Sequence, residues 1–284
     1  MVDGMMCEIL SNLGILYSNQ NDLDKAEECG LEALEIGRCN FDLLTDVRGR
    51  VNMDLQLRGS LRTLAIVYRK QSRFEEAERL FGEAYNIASK NFTDMDCPEA
   101  IAAAVEQTEC ILESGDIDKA LRFAEHLCDG SYRSFRDPDS IAKAERTFLL
   151  GKVYNANKQY EYAERVLRAT LVWYERVYGV NDTRTGRCVS ELGIALLRQD
   201  KLGDETRAVL QRSFDIRLLN LGPDAENVGI ANENLGRFHY KIGEYVQTKR
   251  FWKETLRIYT KVLGPEHPKT VELKEIFRLV QSER

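Results

Sequence analysis

The chain has 284 residues, 43% of them hydrophobic and 30% charged, with five prolines and a formal net charge of −6. That apolar content excludes a disordered chain, and no apolar run approaches the roughly 18 residues of a membrane span. The acidic balance opposes non-specific nucleic-acid binding, and at this length one compact globule would ordinarily divide unless each unit packs only on its neighbours.

The opening "MVDGMMCEIL" has neither the basic start nor the continuous apolar stretch of a signal peptide, so the expected location is the cytoplasm. The first repeat, about 5–38, then combines the pair Leu13-Gly14 and Tyr17 on a first helix with a polar turn, "NQNDLD", and a second stripe at Ala26, Gly30 and Ala33. The second, about 58–92, repeats this as Leu64-Ala65, Tyr68, "KQSRFE" and Ala77-Phe81-Ala84, after about nine extra residues within "NFDLLTDVRGRVNMDLQ". The third, about 99–129, has Gln107-Thr108 at the anchor, Ile111, and Ala120-Ala124-Leu127. The fourth, about 140–179, has Leu150-Gly151, Tyr154 and Ala163-Leu167-Thr170. The fifth, about 183–222, has Leu192-Gly193, Leu196 and, after one extra turn residue, Thr206, Leu210 and Ser213. The sixth, about 226–264, has Leu235-Gly236 and places His239 where others carry a large apolar side chain.

The anchors are spaced 51, 43, 43, 42 and 43 residues apart, a period that marks a repeat architecture. Intervals of three and four make one stripe on each helix, and small residues on that stripe let two axes approach closely. The junctions "VYGVNDTRT", "NLGPDAENV" and "VLGPEHPKT" are variants of one hinge, with Gly179, Gly222 and Gly264 spaced 43 and 42 apart. The segment 270–284 aligns as another first helix but puts Arg278 at the small position, so it reads as a C-terminal capping helix and tail. The start of the chain shows no such cap, which raises the expectation of a fragment of a longer protein.

The order Leu-Gly-x-x-Tyr, then Ala, then an aromatic residue or leucine, then Ala resembles the tetratricopeptide repeat. The longer period and the "LGPEHPKT" junction are similar to the repeats of kinesin light chains. The resemblance implies an all-α, right-handed superhelical solenoid of six antiparallel helix pairs, binding peptides or proteins on its concave face. It also implies that asparagines just before the Leu-Gly pair hold the peptide backbone. Asn12 and Asn234 match that place, whereas Thr63, Glu106, Leu149 and Glu191 occupy it in the middle copies.

Chemistry is sparse. "LLGKVY" lacks the earlier glycine and the Ser/Thr of a phosphate loop, and three histidines without G-x-S-x-G leave no ready nucleophile arrangement. Seven scattered cysteines without C-x-x-C fit reduced, mostly buried thiols; the pair His126 and Cys128 reads as core packing rather than ligation. His239 reads as a satisfied packing residue and His267 as turn chemistry. No enzyme, metal or cofactor is expected.

Counting from the anchors, the first-helix residues facing away from the second helix are Ser11, Asn12, Arg62, Thr63, Arg69, Lys70, Glu106, Glu109, Glu113, Lys152, Asn155, Arg187, Glu191, Arg198, Asn234, Arg237, Tyr240 and Lys241. The peptide-binding set expected from them is Asn12, Arg62, Glu106, Glu109, Glu113, Lys152, Asn155, Arg187, Asn234, Arg237, Tyr240 and Lys241. Residues 91–130 carry ten acidic and two basic side chains, so the expected ligand is a protein or peptide of mixed charge, with no nucleic acid and no membrane. The plainer alternative is that Glu109 pairs with Lys152 or Arg69. Two functions stay open: a non-catalytic interaction scaffold, or the repeat sensor arm of a larger signalling protein such as an NTPase, binding a regulator.

Overall fold

The structure, a computed structural model, describes residues 2–43, 47–91, 98–131 and 141–281. The described residues form thirteen α-helices and no strand. They are α1 (Val2–Asn19), α2 (Leu23–Leu43), α3 (Val47–Lys70), α4 (Phe74–Asn91), α5 (Pro98–Ser114), α6 (Ile117–Ser131), α7 (Ile141–Ala156), α8 (Tyr160–Tyr178), α9 (Thr183–Arg198), α10 (Asp204–Leu221), α11 (Glu226–Lys241), α12 (Tyr245–Val262) and α13 (Pro268–Gln281). The chain divides into two compact units, Met1–Leu149 and Leu150–Arg284, with the division inside α7.

In the first unit α1, α3 and α5 each pack on the helix that follows, and α2 and α4 pack again on the next first helix. Small residues set the approach: a Cβ on Gly30 of α2 would sit 3.1 Å from Leu64 Cδ1 of α3. The core gathers Leu61, Leu64, Ala65, Phe81 and Cys110. The extra residues of the first interval lengthen α2 and α3 to 21 and 24 residues, and Gly37 of the lengthened α2 lies against Leu57 of α3. Thr108 is tolerated at a buried anchor because its hydroxyl donates to Ala104 O at 2.7 Å, which removes the cost of an unpaired buried hydroxyl. α1 is no polar cap. It exposes Met5, Met6, Ile9, Leu13 and Leu16, and the matching positions Leu57, Ser60, Leu64 and Val67 of α3 are buried.

In the second unit α8 packs on α9, α10 joins α9 to α11, and α12 joins α11 to α13. Gly151, Gly193 and Gly236 lie where the paired helices cross: a Cβ would sit 2.7 Å from Leu167, 2.7 Å from Leu210 and 2.2 Å from Trp252, respectively. Gly179 and Gly222 end α8 and α10 at φ 91° and 78°, returning their N–H groups to Glu175 O and Leu218 O. This left-handed backbone is why the junction repeats a glycine. Asp182 then caps α9, accepting from Arg184 N at 2.8 Å. His267 starts α13 similarly, its Nδ1 accepting from Lys269 N at 3.3 Å, with Pro268 opening the helix.

His239 is buried, its Nδ1 2.6 Å from Glu244 Oε2 and its ring stacked on Phe251, which makes it a packing residue with a satisfied nitrogen. Cys7, Cys110 and Cys188 are buried free thiols, Cys29 and Cys128 half-buried, and Cys39 exposed; Cys97 lies outside the described residues. The packing expected of His126 and Cys128 holds only for the thiol, which donates to Arg146 O at 3.7 Å. His126 is exposed, because it falls two residues from Ala124 and off the buried stripe. No helix among the described residues is long and apolar enough to cross a membrane.

Candidate functional site

Close docking of α10 on α9 and of α12 on α11 turns the other face of each first helix outward. In the second unit those faces, with α13 beyond them, line a groove of about 310 Å³. Its apolar lining is Ile194 and Leu197 from α9, Ile230 from α11, and Leu273 and Ile276 from α13; Arg198, Glu233, Asn234, Arg237, Lys269 and Glu272 supply the polar groups.

Most of the charge is already used. Tyr259, reaching across from α12, donates its hydroxyl to Glu233 Oε2 at 2.7 Å, and Arg237 donates to Glu233 Oε1 at 2.5 Å. Burial, reinforced by the Glu233 charge, pushes the Tyr259 phenol far above its ordinary value, so it stays a neutral donor. Trp252 Nε1 donates to the backbone oxygen of Glu233 at 3.2 Å, which ties α11 to α12 at the same point. Lys269 pairs with Glu226 at 2.8 Å. Arg198, Asn234 and Glu272 have no partner among the described residues. The groove thus presents a cation, a carboxamide and a carboxylate above an apolar floor.

Of the residues expected from sequence to bind peptide, Asn234 and Arg237 line this groove, as does Arg198 from the wider set. Tyr240 and Lys241 lie outside the lining. Tyr240 packs on Trp252 and Tyr245, while Lys241 holds Asp200 and donates to Leu197 O at 3.3 Å. Asn155 is buried and donates to both the backbone oxygen and Oε2 of Glu191, each at 2.9 Å. Lys152 is half-buried and Arg187 exposed.

In the first unit the acidic stripe is matched by arginines on α3. Arg62 meets Glu106 at 2.5 Å, and Arg69 lies 3.8 Å from Glu109 and 3.6 Å from Glu113. Burial raises the Glu106 pKa above its ordinary value despite Arg62. Glu109 therefore takes the plainer of its two expected roles, toward Arg69. Asn12 is exposed, but its neighbour Ser11 is buried against Ser60, and Thr63 is buried with its hydroxyl on Gly59 O. Lys70 donates to Ser18 O at 2.6 Å.

Sequence reasoning missed Lys269, Glu272, Leu273 and Ile276, because α13 reads as a cap. Their spacing of three, one and three along one helix was a visible signal of a wall. Tyr259 was missed because it belongs to a second helix.

A family model described as tetratricopeptide repeat matches residues 7–38, 57–91 and 233–269. No curated protein matches the chain. Among solved structures it is similar to BtubC from P. vanneervenii, at 19% identity over 87% of this chain and 94% of that one, with a TM-score of 0.67. A kinesin light chain-like repeat protein from Podospora anserina shares 17% identity over 74% of this chain and 97% of that one, TM-score 0.56. A Rap protein solved in complex with competence and sporulation factor shares 14% over 98% and 71%, TM-score 0.60. With three segments matching the repeat model and antiparallel helix pairs in both units, the fold is that of a tetratricopeptide repeat array, similar to the kinesin light chain-like repeat structures.

Proposed function

We propose that the chain is a non-catalytic protein-interaction scaffold that holds an extended peptide of mixed charge across the groove of α9, α11 and α13. The observation that carries this is the set of three polar side chains, Arg198, Asn234 and Glu272, left unpartnered over an apolar floor in a surface where neighbouring charges are paired. Asn234 suits a peptide backbone, as donor and acceptor at once. Arg198 suits an acidic side chain or a terminal carboxylate, Glu272 a basic one, and the floor takes alternate apolar side chains. The proposed setting is cytoplasmic, without nucleic acid or membrane.

The acidic stripe of the first unit, with Asn12 and Arg62, is a secondary contact in this reading. A basic ligand there must displace Arg62 and Arg69 from partly buried carboxylates, which costs more than the about 0–1 kcal/mol of a fully exposed ion pair. The regulator-binding alternative draws support from the likeness to a Rap protein in complex with competence and sporulation factor and to the quorum sensor NprR of B. thuringiensis.

The test is selection of peptides from a random display library on the intact protein, followed by affinity measurement against Asn234→Ala and Arg198→Glu. Both variants are first checked for helicity by circular dichroism. The expected peptides are acidic at one end, bind more weakly as salt rises, and lose at least about tenfold in affinity with either variant, the scale of one charged hydrogen bond. Peptides that bind both variants as tightly as the native protein would place the interaction surface elsewhere.

A further inference from the structure

A second cavity, about 320 Å³, opens between α10 and α12 with α11 at its base. Phe214 and Leu218 of α10, Pro223, Val228 of α11 and Phe251 of α12 line it with apolar surface, and Asn232 of α11 borders it. Asn232 is 3% exposed, and its carboxamide has no partner among the described residues. The repeat register makes this residue unusual. The matching positions on other first helices carry Leu10, Leu61, Ala104 and Val189, all buried. In the fourth repeat Thr147 stands there and returns its hydroxyl to Lys143 O and Ala144 O. An asparagine cannot satisfy a whole carboxamide that way, and nothing in the packing requires it, because leucine serves the same place elsewhere.

A side-chain amide in a residue this buried is ordinarily paired within the protein; that of Asn232 has no partner among the described residues, and its atoms are open to the cavity rather than sealed from solvent. Here the unsatisfied amide faces a cavity at the lower bound of the roughly 300–1,000 Å³ of ligand clefts, so the space suits a single ring. At the rim Arg250 is exposed and has no partner among the described residues; Gln211 is engaged by Asp215 and Glu254 by Arg257.

We infer that this cavity is a binding site for an aromatic side chain with a hydrogen-bonding edge, a tyrosine or tryptophan of a partner polypeptide. The ring lies among Phe214, Leu218 and Phe251, and its O–H or N–H pairs with the Asn232 carboxamide. Arg250 meets a carbonyl or carboxylate of the same segment. Aromatic anchors in small desolvated pockets are the usual energetic centres of protein interfaces. This site is independent of the groove: it uses another face of α11 and none of the groove's residues.

The experiment titrates ¹⁵N-labelled protein with p-cresol and indole, the side-chain analogues, and with toluene as a ring without a polar edge. The Asn232 side-chain amide resonance should shift saturably with p-cresol and indole, and p-cresol should bind roughly tenfold more tightly than toluene, one buried hydrogen bond. Asn232→Leu should fill the cavity and abolish binding. Asn232→Ala should bind toluene and p-cresol alike, and if the leucine variant does not fold this comparison decides. A short tyrosine-containing peptide should bind more tightly than p-cresol and lose that advantage with Arg250→Ala. The proposal falls if the Asn232 resonance does not move, if native protein binds p-cresol and toluene equally, or if no tyrosine peptide surpasses p-cresol.

Discussion

Replacing Gly236 by alanine adds one carbon at the closest helix crossing in the second unit. That carbon would sit 2.2 Å from Cδ1 and 2.3 Å from Nε1 of Trp252, against about 3.5–4.0 Å for ordinary carbon contacts. The indole must back off by more than about 1 Å, yet Trp252 is only 2% exposed and its Nε1 is bound to Glu233 O. Overpacking costs about 1–3 kcal/mol and a strained or lost hydrogen bond about 0.5–1.5; alanine's better helix propensity returns about 0.5–1. The expected net loss is about 1–3 kcal/mol. Gly59 in α3 is the matched control: a Cβ there meets nothing within 4 Å, so Gly59→Ala should gain about 0.5–1 kcal/mol. Urea unfolding followed by circular dichroism reads both. Tryptophan fluorescence reports the second unit alone, since Trp173 and Trp252 both lie there. If Gly236→Ala proves as stable as the native protein while Gly59→Ala gains, the helices do not cross as closely as the structure places them.

Gly193→Leu should be disruptive for the same reason, its first added carbon meeting Leu210 at 2.7 Å, with a loss of about 1–3 kcal/mol or more in the same urea assay. Thiol titration of the unfolded protein should find seven free thiols. In the folded protein Cys39 should react first of the six described cysteines, while Cys110, pushed up to about 11 by burial, should react slowly at neutral pH for want of thiolate. Burial raises the folded pKa of Glu106, so the native state binds its proton more readily than the unfolded chain does. Its contribution to stability therefore declines as pH rises from the ordinary glutamate value through the raised one. Urea midpoints should show Glu106→Gln equal to the native protein near pH about 4 and as stable or more stable near pH about 7, and a larger loss at pH 7 would contradict the sign. Lys158, at φ 59° in the turn between α7 and α8, carries left-handed strain that glycine relieves, so Lys158→Gly should stabilise by up to about 1 kcal/mol in the same assay.

The helix pairs were legible in the sequence because their causes are local. A small residue at a fixed place with a large one three positions on defines a packing stripe within a single helix, whatever lies beyond it, and the glycine junctions need only their own backbone conformation. The positions of Gly193, Gly236 and His239 on packing faces follow from that spacing. The candidate site is different, because its content depends on which polar groups are spent. Arg62, Asn155, Arg237 and Lys241 all lie on the side of a first helix that faces away from its second helix. Only the stacking of helices, between residues 36 to 44 apart in the chain, decided that Arg62 meets Glu106, Asn155 meets Glu191 and Lys241 meets Asp200, whereas Arg237 finds Glu233 four residues away on its own helix. The same stacking left Arg198, Asn234 and Glu272 without partners, made a wall of α13, and set Asn232 beside a cavity. Helical phase states where a side chain points; what it meets there is set by neighbours from another repeat, and that information exists only in the folded chain.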